Sequence, residues 1–346
     1  MMNKVKEKDN PVLQVKDLVT SFPIKGGVFK KKIGDIQAVS GISFNIYPGE
    51  TMGLVGESGC GKSTVARTII GLEKPESGHI YFEGQDLTNI SHGDMRNLRK
   101  DVQLIFQDPL SALHPKMTVK ELIQEPWQNH PGVLDKKYWG KEVVKLMELV
   151  GLNPDSKNNY PHQFSGGQAQ RINIARALAL RPKLLICDES VSALDVSIQA
   201  QIINLLQDLQ KELGISYLFI SHDLSVVRHI CNRIAVMYLG KVMEVGDRKD
   251  IFQAPTHPYT QALLSAIPTP NPWDMVKKKE IVLEGDIPSP ANPPSGCRFR
   301  TRCWKAQEVC RKEEPELLSQ SCGHLSACHF AEVDKTYIPT SKEARI

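Results

Sequence analysis

The nine residues Gly56-Glu57-Ser58-Gly59-Cys60-Gly61-Lys62-Ser63-Thr64 constrain this chain more than any other stretch. They follow an apolar run, Thr51 to Val55, that reads as a buried strand, and they open Val65 to Ile70, which reads as a helix. The pattern G-x-x-x-x-G-K-[ST] in a strand–loop–helix setting is a phosphate-binding loop. Its glycines let backbone N–H groups turn inward around phosphate oxygens, and the helix N-terminus adds partial positive charge. Lys62 is expected to reach the β- and γ-phosphates of a nucleotide, and Ser63 to offer its hydroxyl to Mg²⁺.

The rest of the chain supplies the α/β framework such a loop needs. Residues 12–18 alternate as a half-buried strand, Phe22 follows, and a glycine- and lysine-rich loop is expected from Lys25 to Gly34. Strands are expected at Ile36–Ile46, His79–Phe82 and Val102–Phe106, the last ending at Gln107. Prolines 109, 115, 126, 131 and 154 then punctuate helical segments, the clearest being Tyr138 to Val150. The core resumes at the apolar strand Lys183–Cys187, and a helix from Ser197 to Leu213 leads to the strand Ile215–Ile220. This rhythm predicts a mostly parallel sheet with helices on both sides. It divides the chain into a first core part (12–107), a helical subdomain (108–164), a second core part (165–265) and a proline- and cysteine-rich C-terminal extension (266–346).

Bulk properties narrow the setting. The 346 residues allow about two domains. With 43 basic and 39 acidic residues the charges nearly cancel, so no nucleic-acid partner is expected despite the basic stretch Lys25 to Lys32. No apolar run approaches the roughly 18 residues of a membrane span. Met1 to Asn10 is charged, with no secretory signal, so a cytoplasmic location is expected.

Two further segments carry chemistry. Leu184-Leu185-Ile186-Cys187 ends in Asp188-Glu189, a carboxylate pair at a strand tip. Asp188 is expected to hold Mg²⁺ through water, and Glu189 to polarise the water that attacks the γ-phosphate. Ser165-Gly166-Gly167-Gln168 opens a helix and forms a second anion-binding terminus. One site needs only one such cradle, so two copies of the fold are expected to share each nucleotide.

The phosphate loop, Gln107, Ser-Gly-Gly-Gln, Leu-Leu-Ile-Cys-Asp-Glu, Ser192-Ala193-Leu194-Asp195 and Ser221-His222-Asp223 resemble, in order and spacing, the motifs of ATP-binding-cassette ATPases over residues 12–265. The resemblance implies a P-loop NTPase core whose ATP is sandwiched between one phosphate loop and the opposite Ser-Gly-Gly-Gln. It makes Gln107 the residue that senses Mg²⁺ and the attacking water and links the site to the helical subdomain. His222 becomes the γ-phosphate switch, Asp195 a residue crossing the dimer interface, and Phe22 the ring against adenine.

A narrower resemblance rests on Gln107 to Thr118, Ser192 to Gln201, His257-Pro258-Tyr259-Thr260 and Gly285 to Pro290. These are similar to ATPases of bacterial dipeptide and oligopeptide importers, and the loop Gly26 to Gly34 resembles the second, F-type ATPase of the pair. Implied partners are a related ATPase subunit, two transmembrane permease subunits and an extracellular substrate-binding protein, with this chain on the cytoplasmic face. His114, Ala169 and Ser190 depart from the usual Asn, Arg and Pro.

Five of the eight cysteines fall between Cys297 and Cys328, where thiolates in a loop-rich cytoplasmic segment read as metal or cluster ligands. Their spacing does not select iron–sulfur over zinc. The importer resemblance implies a [4Fe–4S] cluster on Cys297, Cys303, Cys310 and Cys328, with Cys322 extra and Zn²⁺ as the alternative. The tail is expected to be a structural appendage lying beyond every nucleotide motif. Competing readings are a soluble cassette ATPase acting on ribosomes or DNA, and a redox-responsive binding module. One cassette with an insertion of about fifty residues argues against the first, and a full set of catalytic residues against the second. The cargo, whether dipeptide, oligopeptide, nickel chelate or oligosaccharide, is chosen by other chains.

Overall fold

The computed structural model describes residues 10–26, 31–267, 280–319 and 324–333. The chain opens with a hairpin of β1 (Leu13–Gly26) and β2 (Lys31–Ile46), followed by β3 (Thr51–Val55) and α1 (Lys62–Ile69). Strands β4 (Ser77–Phe82) and β5 (Gln85–Asp86) complete a four-stranded antiparallel sheet in the order β2-β1-β4-β5. Helix α2 (His92–Asp101) and β6 (Val102–Ile105) lead to the helical insertion, α3 (Val119–Asn129) and α4 (Trp139–Leu149). Then come α5 (Gly166–Leu178), β7 (Leu184–Asp188), α6 (Val196–Leu213), β8 (Ser216–Ser221) and α7 (Leu224–Ile230). The core closes with β9 (Arg233–Tyr238), β10 (Lys241–Asp247), α8 (Arg248–Gln253) and α9 (Pro258–Ser265).

The second sheet carries the site. Its parallel part runs β6-β7-β8-β3-β9, with β10 added antiparallel beside β9. Side-chain alternation explains why β7 and β8 are apolar at every position short of their polar ends. On β7, Leu184 and Ile186 face the antiparallel sheet and α1, whereas Leu185 and Cys187 face the helices α3, α5 and α6. On β8, Leu218 and Ile220 take the first side, and Tyr217 and Phe219 the second. A strand covered on both faces has no polar side to show.

The expected loop from Lys25 to Gly34 is instead largely strand: Ile24 pairs with Gly34 and Gly26 with Lys31, so the two strands run on as a long hairpin. Only its tip, 27–30, lies outside the described residues. The helical insertion is tied to α5. Trp127 Nε1 donates to the Ala179 carbonyl at 2.7 Å, Asn173 to that of Pro109 at 2.8 Å, and Arg176 pairs with Glu125 at 2.7 Å.

The tail is not an appendage. Two short strands, β11 (Leu318–Ser319) and β12 (Leu325–Ser326), extend the large sheet, with Glu244 opposite Ser326 and Val245 opposite Leu325. Beside this seam Glu244 is fully buried, and its carboxylate lies 2.6 Å from His324 Nε2 and accepts from the Thr256 N–H at 2.7 Å. Burial opposes the charge on Glu244, but the His324 hydrogen bond and the Thr256 N–H outweigh it and hold its carboxyl below the ordinary range. His257, also buried, caps α9 by accepting the Tyr259 N–H, and burial pushes its pKa down to about 4 despite the nearby Glu244 charge.

These shifts share one sign. Unfolded, His257 takes a proton near pH 6.5, whereas in the fold it stays neutral to about 4. Stability is therefore lost as pH falls from about 6.5, by up to about 3 kcal/mol from this group near pH 4. Glu244 adds further loss below the carboxylate range. Thermal unfolding followed from pH 7.5 to 4.5 should show a falling Tm. His257→Asn, which keeps a capping oxygen but cannot titrate there, should flatten that fall.

Candidate nucleotide site

Parallel pairing brings three strand ends together. Val55 is level with Ser221, and Asp188 with Ile220, so the phosphate loop after β3, the carboxylates ending β7 and His222 after β8 share one edge. Two of the loop's three glycines are required by space. Gly56 and Gly61 have φ of 157° and 106°, and a Cβ on either would lie 2.1 Å from a backbone oxygen, of Met237 and Ala38 respectively. Gly59, with φ of 78°, would meet nothing within 4 Å.

Lys62 is buried at the start of α1. Its Nζ donates to the carbonyls of Gly56 at 2.9 Å and Glu57 at 3.0 Å, and lies 3.9 Å from Glu189 Oε1. Ser63 Oγ donates to Asp188 Oδ1 at 3.0 Å, which sets a hydroxyl and a carboxylate side by side in the manner of a divalent-cation site. Burial raises the Asp188 pKa, the Ser63 hydrogen bond opposes that, and the adjacent Glu189 charge adds to it.

Glu189 is the hub. Gln107 Nε2 donates to Oε2 at 2.9 Å, and His222 Nδ1 lies 3.3 Å from Oε1. Its backbone is left-handed, φ 48°, which a side-chain-bearing residue rarely adopts. Three hydrogen bonds hold it there: its N–H to the Ile220 carbonyl, and its own carbonyl accepting from Ser192 N–H and Oγ.

Ser165 caps α5, with reciprocal bonds between Ser165 Oγ and the Gln168 N–H and between Gln168 Oε1 and the Ser165 N–H. Gly167 answers to packing, since a Cβ there would come within 2.5 Å of Ile198. Gln170 reaches from α5 to the Ser190 carbonyl at 2.6 Å, linking this helix to the carboxylate pair. Asp195 is exposed at the start of α6, and Phe22 is half-buried on β1 opposite Ile36; neither joins the cluster around Glu189. Ser58 and Thr64 lie within the loop and on α1, and Cys60 is buried beneath the loop, its thiol pKa raised by burial.

Sequence reading missed Tyr259, whose hydroxyl accepts the Glu57 N–H at 3.0 Å, and Arg302, paired with the Glu57 carboxylate at 2.7 Å. The expectation that the tail lies beyond every nucleotide motif is thereby corrected. Cys297, Cys303, Cys310 and Cys328 line one small cavity with Phe299 and His329. Burial pushes the Cys297, Cys303 and Cys328 thiols up to about 11. Among the described residues no group of three or more His, Cys, Asp or Glu is already arranged as a metal site. Cys322 lies outside the described residues.

Comparison with known proteins agrees with this arrangement. Residues 39–192 match the family described as ABC transporter, and residues 243–310 the oligopeptide/dipeptide transporter C-terminal region. The chain is 51% identical to the oligopeptide transport ATP-binding protein AppF of Bacillus subtilis, over 92% of this chain and 97% of that one. It is 51% identical to the oligopeptide transport ATP-binding protein OppF of Escherichia coli, over 94% and 98%. Among solved structures it is similar to cbiO1 of Clostridium perfringens, part of the ABC transporter complex cbiONQ (TM-score 0.61, 30% identity, 70% of this chain and 91% of that one). It is also similar to the dimeric ATP-binding cassette MJ0796 bound to ADP and Pi (TM-score 0.60, 28% identity, 68% and 98%).

The loop geometry separates two glycines. Gly61→Ala forces a clash as well as left-handed backbone, and should lower stability by about 3 kcal/mol or more and abolish nucleotide binding. Gly59→Ala pays only the backbone term, about 1 kcal/mol, and should keep most binding. Thermal unfolding with and without Mg-ATP checks both.

Proposed function

The chain belongs to the ABC transporter family, among its oligopeptide-transport ATP-binding proteins, and on that premise we propose that it hydrolyses ATP to drive peptide import across the cytoplasmic membrane. The observation that carries this is the meeting of Lys62, Gln107 and His222 on the Glu189 carboxylate, beside the Ser63–Asp188 pair.

Each group has a task in that reaction. The phosphate-loop N–H groups, apart from that of Glu57, which is engaged by Tyr259, and the Lys62 ammonium receive the phosphates. For this, Lys62 exchanges its bonds to the Gly56 and Glu57 carbonyls for phosphate oxygens. Ser63, Asp188 and Gln107 would hold Mg²⁺, which when bound would offset the negative charge developing on the phosphates. Glu189 orients the attacking water and draws its proton. Gln107 and His222 engage one carboxylate oxygen each and so fix the orientation in which Glu189 meets that water. Phe22 is the proposed ring against adenine.

We propose a head-to-tail dimer with a second, related ATPase subunit, in which Ser165, Gly166, Gly167 and Gln168 face the partner's nucleotide. Exposure of Ser165 and Gln168, of Asp195, and of Val196 at 82% supports this, as does the dimeric state of the MJ0796 cassette. Two permease subunits and an extracellular substrate-binding protein complete the proposed assembly. A groove lined by Leu104, Phe106, Glu125, Asn129 and Arg176, directly before Gln107 and against the helical insertion, is the proposed permease seat on the cytoplasmic face. Among the described residues no helix is long and apolar enough to cross a membrane.

For the tail we propose Cys297, Cys303, Cys310 and Cys328 as ligands of a [4Fe–4S] cluster, supported by the gathering of four thiols on one cavity and by that donor chemistry. Anaerobically purified protein should then carry iron and acid-labile sulfide near four each per chain, lost in Cys303→Ser. Stoichiometric zinc, or no metal, would overturn the assignment.

Catalysis is tested at Glu189. Glu189→Gln keeps the shape and removes the base, so ATP binding should persist while hydrolysis, assayed with the partner subunit, falls about 100-fold or more. ATP-driven peptide uptake by the assembled transporter should fall in parallel. Turnover near wild type would exclude Glu189 as the base.

A further inference from the structure

Glu57, second residue of the phosphate loop, is gripped from outside that loop. Its N–H donates to Tyr259 on α9, its carbonyl accepts from Lys62, and its side chain turns to Arg302 in the cysteine-bearing loop. Arg302 Nη1 lies 2.7 Å from Glu57 Oε2, with side-chain exposures of 9% and 23%. The guanidinium also lies over the Tyr238 ring at 5.9 Å. Around it Tyr238, Tyr259 and Phe299 pack in mutual contact, with centroids 4.8 to 5.3 Å apart, and Phe299 is fully buried. Arg302 is thus fixed rather than waving in solvent, and it is the tail's contact with the nucleotide loop.

A carboxylate at this position is a problem for the loop's task. ATP brings several negative charges to N–H groups only a few residues away, and an unpaired, partly buried Glu57 would repel them in a medium that screens poorly. We infer that Arg302 is a positioning residue for nucleotide binding: it offsets the Glu57 carboxylate charge beside the phosphate loop and turns that side chain away from the phosphates. The inference rests on the phosphate-loop reading. It also makes the cysteine-bearing loop, closed by the Cys297 N–H to Cys310 carbonyl bond at 2.8 Å, continuous with the nucleotide site.

A purely structural fastening of the tail would lower stability without a charge-specific effect on ATP. The two are separated by equilibrium binding of a fluorescent ATP analogue with Mg²⁺ to the full chain. Arg302→Gln should weaken binding about 10-fold, more at low than at high ionic strength, and Arg302→Lys should recover most of it. Removing the stranded charge as well, in Arg302→Gln with Glu57→Gln, should return affinity to within about 3-fold of wild type. Glu57→Gln alone, nearly isosteric and expected to fold even where Arg302→Gln does not, should bind ATP at least as tightly as wild type. Affinity within 2-fold of wild type in Arg302→Gln would overturn the inference. So would a double variant as weak as that single one, or a Glu57→Gln protein weakened more than 3-fold. Lys62→Ala serves as reference; if it bound the analogue normally, the phosphate-loop reading itself would fall, a different failure from the others.

Discussion

The register between β3, β8 and β7 is the constraint on which the site depends. Evenly spaced parallel pairing sets Val55, Ser221 and Asp188 at one edge, and each strand hands its next residue to the same small volume. A slip of one residue in any of them would turn an apolar row toward the wrong layer and move a catalytic group by more than 3 Å. Both faces are buried, so that slip is opposed by the whole core. Precision at Glu189 therefore comes from packing elsewhere. Its left-handed backbone is tolerated because the Ile220 carbonyl and Ser192 over-determine it, which is how strained residues persist at functional sites.

The same sheet accounts for the tail. Beyond β9 the pairing turns antiparallel, and β10 would expose a row of unpaired backbone groups to solvent. β12 covers part of that edge, and the Ala327 N–H bonds the Met243 carbonyl at 2.8 Å just beyond the seam. Glu244 and His324 then form a buried hydrogen-bonded pair that fixes how β12 docks on β10, while burial of the carboxylate offsets part of what the contact contributes to stability. With Phe299 filling the aromatic pocket above Tyr238, a segment with many prolines and little apolar content borrows the core of the cassette.

Much of the site was legible because its motifs are local. A phosphate loop is nine consecutive residues between a strand and a helix, and Asp188-Glu189 is the end of an apolar run. Spacing also located Gln107 and His222, although only the fold shows that both grasp one carboxylate. What could not be read were contacts made across the chain. Glu57 and Arg302 are 245 positions apart, and nothing near Arg302 but cysteines drew attention to it. The hairpin arms beyond Ile24 were hidden by glycines and lysines that suggest a loop, whereas cross-strand pairing keeps them extended. Gly167 was legible as a glycine needed at a helix start, but the need comes from Ile198 pressing on α5.

That last point bears on how two chains could share a nucleotide. At the start of α5 the side chains of Ser165 and Gln168 are already engaged with each other's backbone N–H groups. An anion arriving there would not find two free side chains. It would meet the first-turn N–H groups, which a helix cannot satisfy internally, and the positive end of the α5 dipole. The capping box thus holds the helix end in the shape that presents its backbone, and the absence of side chains at Gly166 and Gly167 lets an anion approach closely. Because Gln170 and the Arg176–Glu125 pair tie α5 both to Ser190 and to the helical insertion, pressure on this helix end has a rigid route to the residue beside Glu189 and to α3. The groove beside α3 and α5 is where the permease is proposed to sit, so nucleotide capture and partner movement would act on the same pair of helices.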